Sequence, residues 1–178
     1  MKRNICLICA CIILSGCASI ERSWQGKVTP VYQRLDELVK VGTPITIAVL
    51  GTVETSFSPE AFKAQGLDMD QWKKTIKQEI EGRIEAGVFN KFGAATNLKF
   101  VDRNNIDRVF QEMKLAFTGV LSNEDRLQLG KLLGASHFMT YQFNRMPAKR
   151  GIDDHIVSRL IEVETGTILA TQWQTIHK

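Results

Sequence analysis

The chain has 178 residues, 44% of them apolar and 24% charged, which excludes a disordered protein and allows one domain of ordinary size. Its formal charge is +4, from 23 Lys and Arg against 19 Asp and Glu, too small and too scattered for a nucleic-acid-binding face. The four cysteines, Cys6, Cys9, Cys11 and Cys17, all precede the body of the chain, which therefore has neither a disulfide framework nor a cysteine-based metal site.

The first segment reads as a leader. Lys2 and Arg3 are followed by the apolar run Ile5 to Leu14 and then by Ser15 and Gly16, the layout of a secretory signal peptide. Such a run makes a helix of roughly 15–18 Å against a hydrocarbon core of ~30 Å, so it does not anchor the protein by spanning. Leu14-Ser15-Gly16-Cys17 resembles the bacterial lipoprotein cleavage box. That resemblance implies cleavage between Gly16 and Cys17 and acylation of Cys17, whose thiol can form the thioether to a diacylglycerol. One acyl chain holds a membrane only marginally, so a further amide-linked chain is expected. Ala18, in place of an aspartate, implies sorting to the outer membrane. The expected organisation is a signal peptide over 1–16, a lipidated tether over 17–28 and a domain over 29–178. Removing 16 of the 178 residues leaves 162, with 21 cations against 19 anions, or about +2. The polar tether is about a dozen residues and reaches at most roughly 40 Å.

Thr29-Pro30 reads as an N-cap and first helical residue, and Val31, Leu35, Leu38 and Val39 form one apolar stripe ended by Gly42 and Pro44. Ile45 to Leu50 is a β-branched run expected to form a buried central strand closed by Gly51. Thr52 to Gln65 reads as a polar loop with one helical turn. A long helix opens near Asp68 or Asp70, with Trp72, Ile76, Ile80 and Ile84 at steps of four, and ends about Gly87 or Phe89. Lys73, Lys74 and Lys77, interleaved with Glu79 and Glu81, read as its solvated face. Leu98, Phe100 and Val101 predict a strand. Asp102 caps a helix with Ile106, Val109, Phe110 and Met113 on one face. Ser122-Asn123-Glu124-Asp125 is a capping-box signature before Leu129, Leu132 and Leu133, and Gly134 is placed to end that helix. His137 to Phe143 predicts a strand, and 156–163 with 168–176 predict a hairpin turning at Thr165-Gly166. The sum is a single α/β domain, a mixed β-sheet packed by helices, with a C-terminal antiparallel hairpin.

Catalytic chemistry has no obvious carrier. After cleavage the one cysteine is the lipid carrier, and His137, His155 and His177 are isolated, so no catalytic residue, cofactor or metal ligand is assigned. No G-x-S-x-G elbow occurs. Gly51-Thr52-Val53-Glu54-Thr55-Ser56 lacks two of the glycines that a dinucleotide turn requires. Asp153-Asp154 and the pair Asp68 and Asp70 read as turn and cap residues. Trp72, Trp173 and the phenylalanines fall at core periodicities.

Two stretches resemble a known family: Val101 to Val109, with its D-R-x-x-I-D-R-V helix start, continuing to Leu129-Gly130-Lys131-Leu132-Leu133-Gly134-Ala135, and Ser158 to Ala170, with V-x-T-G-x-I-L-A. With the strand Ile47 to Leu50 they look like the CsgG family of bacterial lipoproteins, over roughly Ile45 to Ile176. That family includes the curli secretion component and LpoB-type activators of penicillin-binding proteins. The resemblance implies a non-enzymatic outer-membrane lipoprotein facing the periplasm, attached to the membrane through lipid on Cys17. It would serve as an adaptor in envelope assembly or export through an envelope protein partner. The alternative is activation of a peptidoglycan synthase, and the third reading is a periplasmic small-ligand-binding module. A homo-oligomer is compatible with the resemblance. A curli-type pore fits poorly, because Asn144 to Asp154 reads as a short connection and Thr52 to Gln65 as a polar loop, neither able to supply lipid-facing strands. The short tether weighs against a long reach toward an inner-membrane synthase. These two loops are the candidate contact surfaces.

Overall fold

The computed structural model describes residues 30–113, 115, 121–148 and 151–177. The leader, the Gly16/Cys17 cleavage and lipid site, the tether and the Thr29 cap lie outside the described residues. Helix α1 (Pro30–Val41) leads into strand β1 (Ile45–Thr55). Helices α2 (Pro59–Lys63) and α3 (Met69–Phe92) return the chain to β2 (Leu98–Phe100). Helices α4 (Arg103–Met113) and α5 (Asn123–Leu133) then precede three consecutive strands, β3 (His137–Ala148), β4 (Gly151–Glu162) and β5 (Ile168–His177). The five strands form one mixed sheet in the order β2-β1-β3-β4-β5. Strands β2, β1 and β3 run parallel, and β4 and β5 continue antiparallel. The expected fold class is what the residues build.

Side-chain caps hold the helix starts where the sequence places them. Asp68 Oδ1 accepts from the Gln71 N–H at 2.7 Å, Asp102 Oδ1 from Asn104 at 2.8 Å, and Ser122 Oγ from Asp125 at 3.1 Å. Each satisfies an N–H that has no partner within its helix. Gly134 closes α5 in the left-handed region at φ 61°, a conformation open to glycine at little cost.

The alternation of β1 sorts the core into two layers. Ile45, Ile47, Val49 and Val53 face α1 and α3, joining Leu35, Trp72, Ile80, Ile84, Tyr141 and Ile156. Ala48 and Leu50 face the other way and join Ile106, Val109, Leu129, Leu133 and Phe138 under α4 and α5. The β1–β3 register, Ile47 opposite His137 through Thr55 opposite Arg145, carries both layers into β3.

Three sequence expectations are corrected here. Strand β1 does not close at Gly51 but runs to Thr55, so Thr52 to Thr55 are strand, not loop. Gly51 stands opposite Tyr141 in the parallel register, and a β-carbon there would fall inside the Tyr141 ring. The glycine is a clearance for a crossing aromatic, not a strand end. Asn144 to Asp154 is not a short connection either: β3 and β4 remain paired from His137 opposite Glu162 to Ala148 opposite Gly151. Alternating polar residues hid these strand ends, because β1, β3 and β4 lose their apolar cover on one face at this end of the sheet. Finally, α3 runs past Gly87 to Phe92, since Val88 and Phe92 extend its buried stripe.

Candidate functional site

The face bearing α4 and α5 is only half covered among the described residues. Those helices pack on the end where the parallel strands begin, over Ala48, Leu50 and Phe138. Beyond Leu50 the same face continues as Thr52 and Glu54 on β1, Gln142, Asn144 and Met146 on β3, His155 and Val157 on β4, and Trp173 on β5. These residues line a shallow hollow of about 610 Å³. Trp173 is 70% exposed. Its ring stacks on His155, 6.1 Å between centroids with an interplanar angle of 22°, and His155 Nδ1 is 3.0 Å from Thr175 Oγ1. Gln142 Oε1 accepts from Arg159 Nη1 at 3.4 Å. An exposed indole stacked on an imidazole, with the Gln142 and Asn144 amides lining the same hollow, offers apolar contact area with polar groups at its rim.

The opposite face of the same strands carries a buried ion pair. Arg145 and Asp154 lie opposite each other across β3 and β4, next to Asn144 and His155. Arg145 Nε donates to Asp154 Oδ1 at 2.7 Å and Nη2 to Oδ2 at 2.8 Å. The guanidinium lies 5.1 Å from the Trp72 ring and 5.7 Å from that of Phe143. The carboxylate is fully buried and the Arg145 side chain is 5% exposed. A forked, charge-assisted pair set against two adjoining aromatic rings ties together the two strands that carry the hollow. Asp154 was expected in a solvated turn; it is a buried ion-pair partner.

A second feature lies between α3 and α4, where β2 stops and the far edge of β1 is exposed. Lys77, Glu81, Arg103, Asp107 and Phe110 border a crevice of about 210 Å³ there. Glu81, expected on a solvated helix face, is 7% exposed. Tyr141, crossing over Gly51, donates to Glu81 Oε1 and to the Lys77 carbonyl, each at 3.3 Å. Lys77 Nζ is 3.9 Å from the carboxylate, and Arg103 is bound to Glu85 at 2.9 Å. Burial raises the Glu81 pKa above its ordinary 4.5, against the opposing pull of Lys77, Arg103 and the Tyr141 hydroxyl. The folded protein therefore holds this proton to a higher pH than the unfolded chain does. The resulting stability is full below the ordinary value and lost as pH rises through the raised one. Glu81→Gln keeps the shape without the charge, so its stability relative to the parent should rise from pH 4 to pH 7. Urea unfolding across that range checks this, and a difference independent of pH would refute it.

His137 and His155 stay apart in the fold. His137 sits at the base of β3 beside Ser136 Oγ, 2.9 Å away. His155 sits in the hollow and His177 at the end of β5. Among the described residues no group of three His, Cys, Asp or Glu side chains is placed to hold a metal ion. No described helix is long and apolar enough to cross a membrane. The two segments read as candidate contact loops do supply Thr52, Glu54, Asn144 and Met146 to the hollow, but as strands. Trp173 and His155 escaped sequence reasoning. Trp173 reads as core until one knows that its face of β5 carries no helix.

No family model matches the sequence, and no curated protein matches it. Among solved structures the chain is similar to the LpoB C-terminal domain from Salmonella enterica, at 10% identity and TM-score 0.47, over 82% of this chain and 94% of that one. It is similar to lipoprotein GNA1162 from Neisseria meningitidis at 11% identity and TM-score 0.48, over 76% and 81%. It is also similar to the LpoB C-terminal domain from Escherichia coli at 11% identity and TM-score 0.44, over 80% and 94%. At these identities the likeness is one of general fold.

Proposed function

We propose that this chain is a lipid-anchored, non-enzymatic accessory protein on the periplasmic face of the outer membrane, acting through protein–protein contacts in envelope assembly or export. The observation that carries this reading is the uncovered half of the sheet, with an exposed tryptophan at its centre and a buried ion pair fixing it from behind. Exposed aromatics on a rigid support are the usual anchors of protein interfaces. The basic start, apolar run and Leu14-Ser15-Gly16-Cys17 support the anchor at Cys17, and the family-like stretches support the class.

Capture of cross-linked envelope proteins on the full chain tests the reading. Trp173→Ala is expected to cut recovery of the partner by about 30-fold, the equivalent of ~2 kcal/mol for an interface anchor. Equal recovery by parent and variant would count against this surface. Cys17→Ala is expected to abolish incorporation of labelled palmitate, and label retained by that variant would end the lipoprotein claim.

A second reading makes the partner a penicillin-binding protein, as for the LpoB-type activators that the motif stretches resemble. Residues 144–154 favour it over a curli-type pore, since the Arg145–Asp154 pair is buried within the domain's own sheet, where a pore needs a lipid-facing hairpin. Stimulation of glycan polymerisation when the protein is added to such a synthase would support this reading. Failure to bind any synthase would sink it.

A further inference from the structure

The two edges of the sheet are protected very differently. Strand β2 is three residues long, too short to template another chain. The open upper edge of β1 is guarded by charge, with Glu54 bound to Lys73 at 2.9 Å and with Lys77, Arg103 and Asp107 around it. Strand β5 has no such guard. Its sequence, Ile168-Leu169-Ala170-Thr171-Gln172-Trp173-Gln174-Thr175-Ile176-His177, contains no Asp, Glu, Lys, Arg or Pro. One irregularity, at Leu169, leaves 170–177 in unbroken register with β4. Ile168 is 54% exposed. Among the described residues nothing pairs with the outer side of this strand.

We propose that β5 pairs antiparallel with β5 of a second copy of this chain, joining two sheets into one of ten strands. The inference stands on the edge itself and does not depend on the function proposed above. A long, uncharged edge is a liability that folded proteins remove by covering it. A strand with no charges is its own complement, since no register sets like charges opposite each other. Helix α1, which packs beside β5, carries Arg34, Asp36, Glu37 and Lys40, two of each sign, so neighbouring α1 helices meet without net repulsion. Seven paired residues in each strand supply about seven backbone hydrogen bonds, within the range of a standard interface.

Symmetry narrows the register. A two-fold axis perpendicular to the sheet keeps both hollows on one side. Residues directly opposite must point to the same face, so the axis passes through a residue and not between two. The greatest overlap of 170–177 that this allows, seven residues, places it at Trp173 or Gln174. A cysteine at the axis faces its own copy at roughly 4.5–5.5 Å between α-carbons, within disulfide reach. Residue 168 lies about 33 Å from its copy with the axis at Trp173 and about 40 Å with it at Gln174, at ~3.3 Å per residue.

The test is a single-cysteine scan of the full chain over 168–177 in the bacterial envelope, read as disulfide-linked dimers on non-reducing gels. Dimers are expected from Trp173→Cys or Gln174→Cys, and not from Ile168→Cys, from Lys74→Cys on α3 or from the parent. Adding a lysine one residue before the reactive position, Gln172→Lys with Trp173→Cys or Trp173→Lys with Gln174→Cys, is expected to cut dimer yield by about fivefold, because it sets like charges two residues apart across the new pair. The proposal is overturned if no position yields dimers, if all positions yield them equally, or if the linked species carries a different protein. Dimer yield unchanged by the added lysine would also overturn it.

Discussion

Asp154→Ala is expected to cost about 3–5 kcal/mol of unfolding free energy, the usual penalty for stranding one partner of a buried ion pair. Removing the carboxylate leaves the Arg145 guanidinium beside Trp72 and Phe143 with neither of its forked acceptors. The aromatic faces return only ~1–2 kcal/mol of cation–π attraction, too little to offset an uncompensated buried charge. Replacing both partners by apolar residues, Arg145→Met with Asp154→Leu, should recover most of the loss, because the desolvation cost of both ions disappears together. Urea unfolding of the single and double variants checks this. A single-variant loss below ~1 kcal/mol would mean that Arg145 finds another acceptor.

Gly51→Ala is the second large effect, at about 3 kcal/mol. The added methyl would occupy the volume of the Tyr141 ring, which crosses β1 at this point and reaches Glu81 and the Lys77 carbonyl. Tyr141 is fully buried, so the ring has no solvent to retreat into. Overpacking of this kind lies at the upper end of the usual 1–3 kcal/mol, since either the strand or the ring must move. Tyr141→Ala by itself should cost about 3–5 kcal/mol through its cavity. The two effects should not add. Once the ring is gone, Gly51→Ala should cost less than ~1 kcal/mol, giving a coupling of about 2 kcal/mol or more in a double-mutant cycle. Additive losses would mean that Gly51 is required for its backbone and not for Tyr141.

The hollow around Trp173 and the hydrogen-bonded Glu81 have one origin in the sheet. Helices α4 and α5 leave the upper half of their face open, and β2 stops after three residues, which exposes the flank of β1. Both features lie where the strands outrun their helical cover. The first is an exposed aromatic surface, and the second is a buried carboxyl that accepts a hydrogen bond from Tyr141.

Much of the fold was legible along the chain, because the signals involved are local. Asp68, Asp102 and Ser122 cap helices with side chains two or three residues from the N–H groups they satisfy. The apolar stripes of α1, α3 and α4 mark which faces pack, and the β-branched runs of β1, β4 and β5 mark the sheet. The leader and the cysteine at position 17 are likewise signals of a few adjacent residues, and they carry the expectation of an envelope lipoprotein. What the tertiary structure alone decided were distances between residues far apart in sequence. Asp154 reads as a turn residue until the β3–β4 register sets Arg145 across from it. Glu81 reads as solvated until Tyr141 reaches it over Gly51, 60 residues away along the chain from Glu81. Trp173 reads as core until α4 and α5 are seen to cover only the other end of its face. Periodicity reports which side of an element a residue occupies, whereas burial depends on whether a second element covers that side, and only the packed chain sets that.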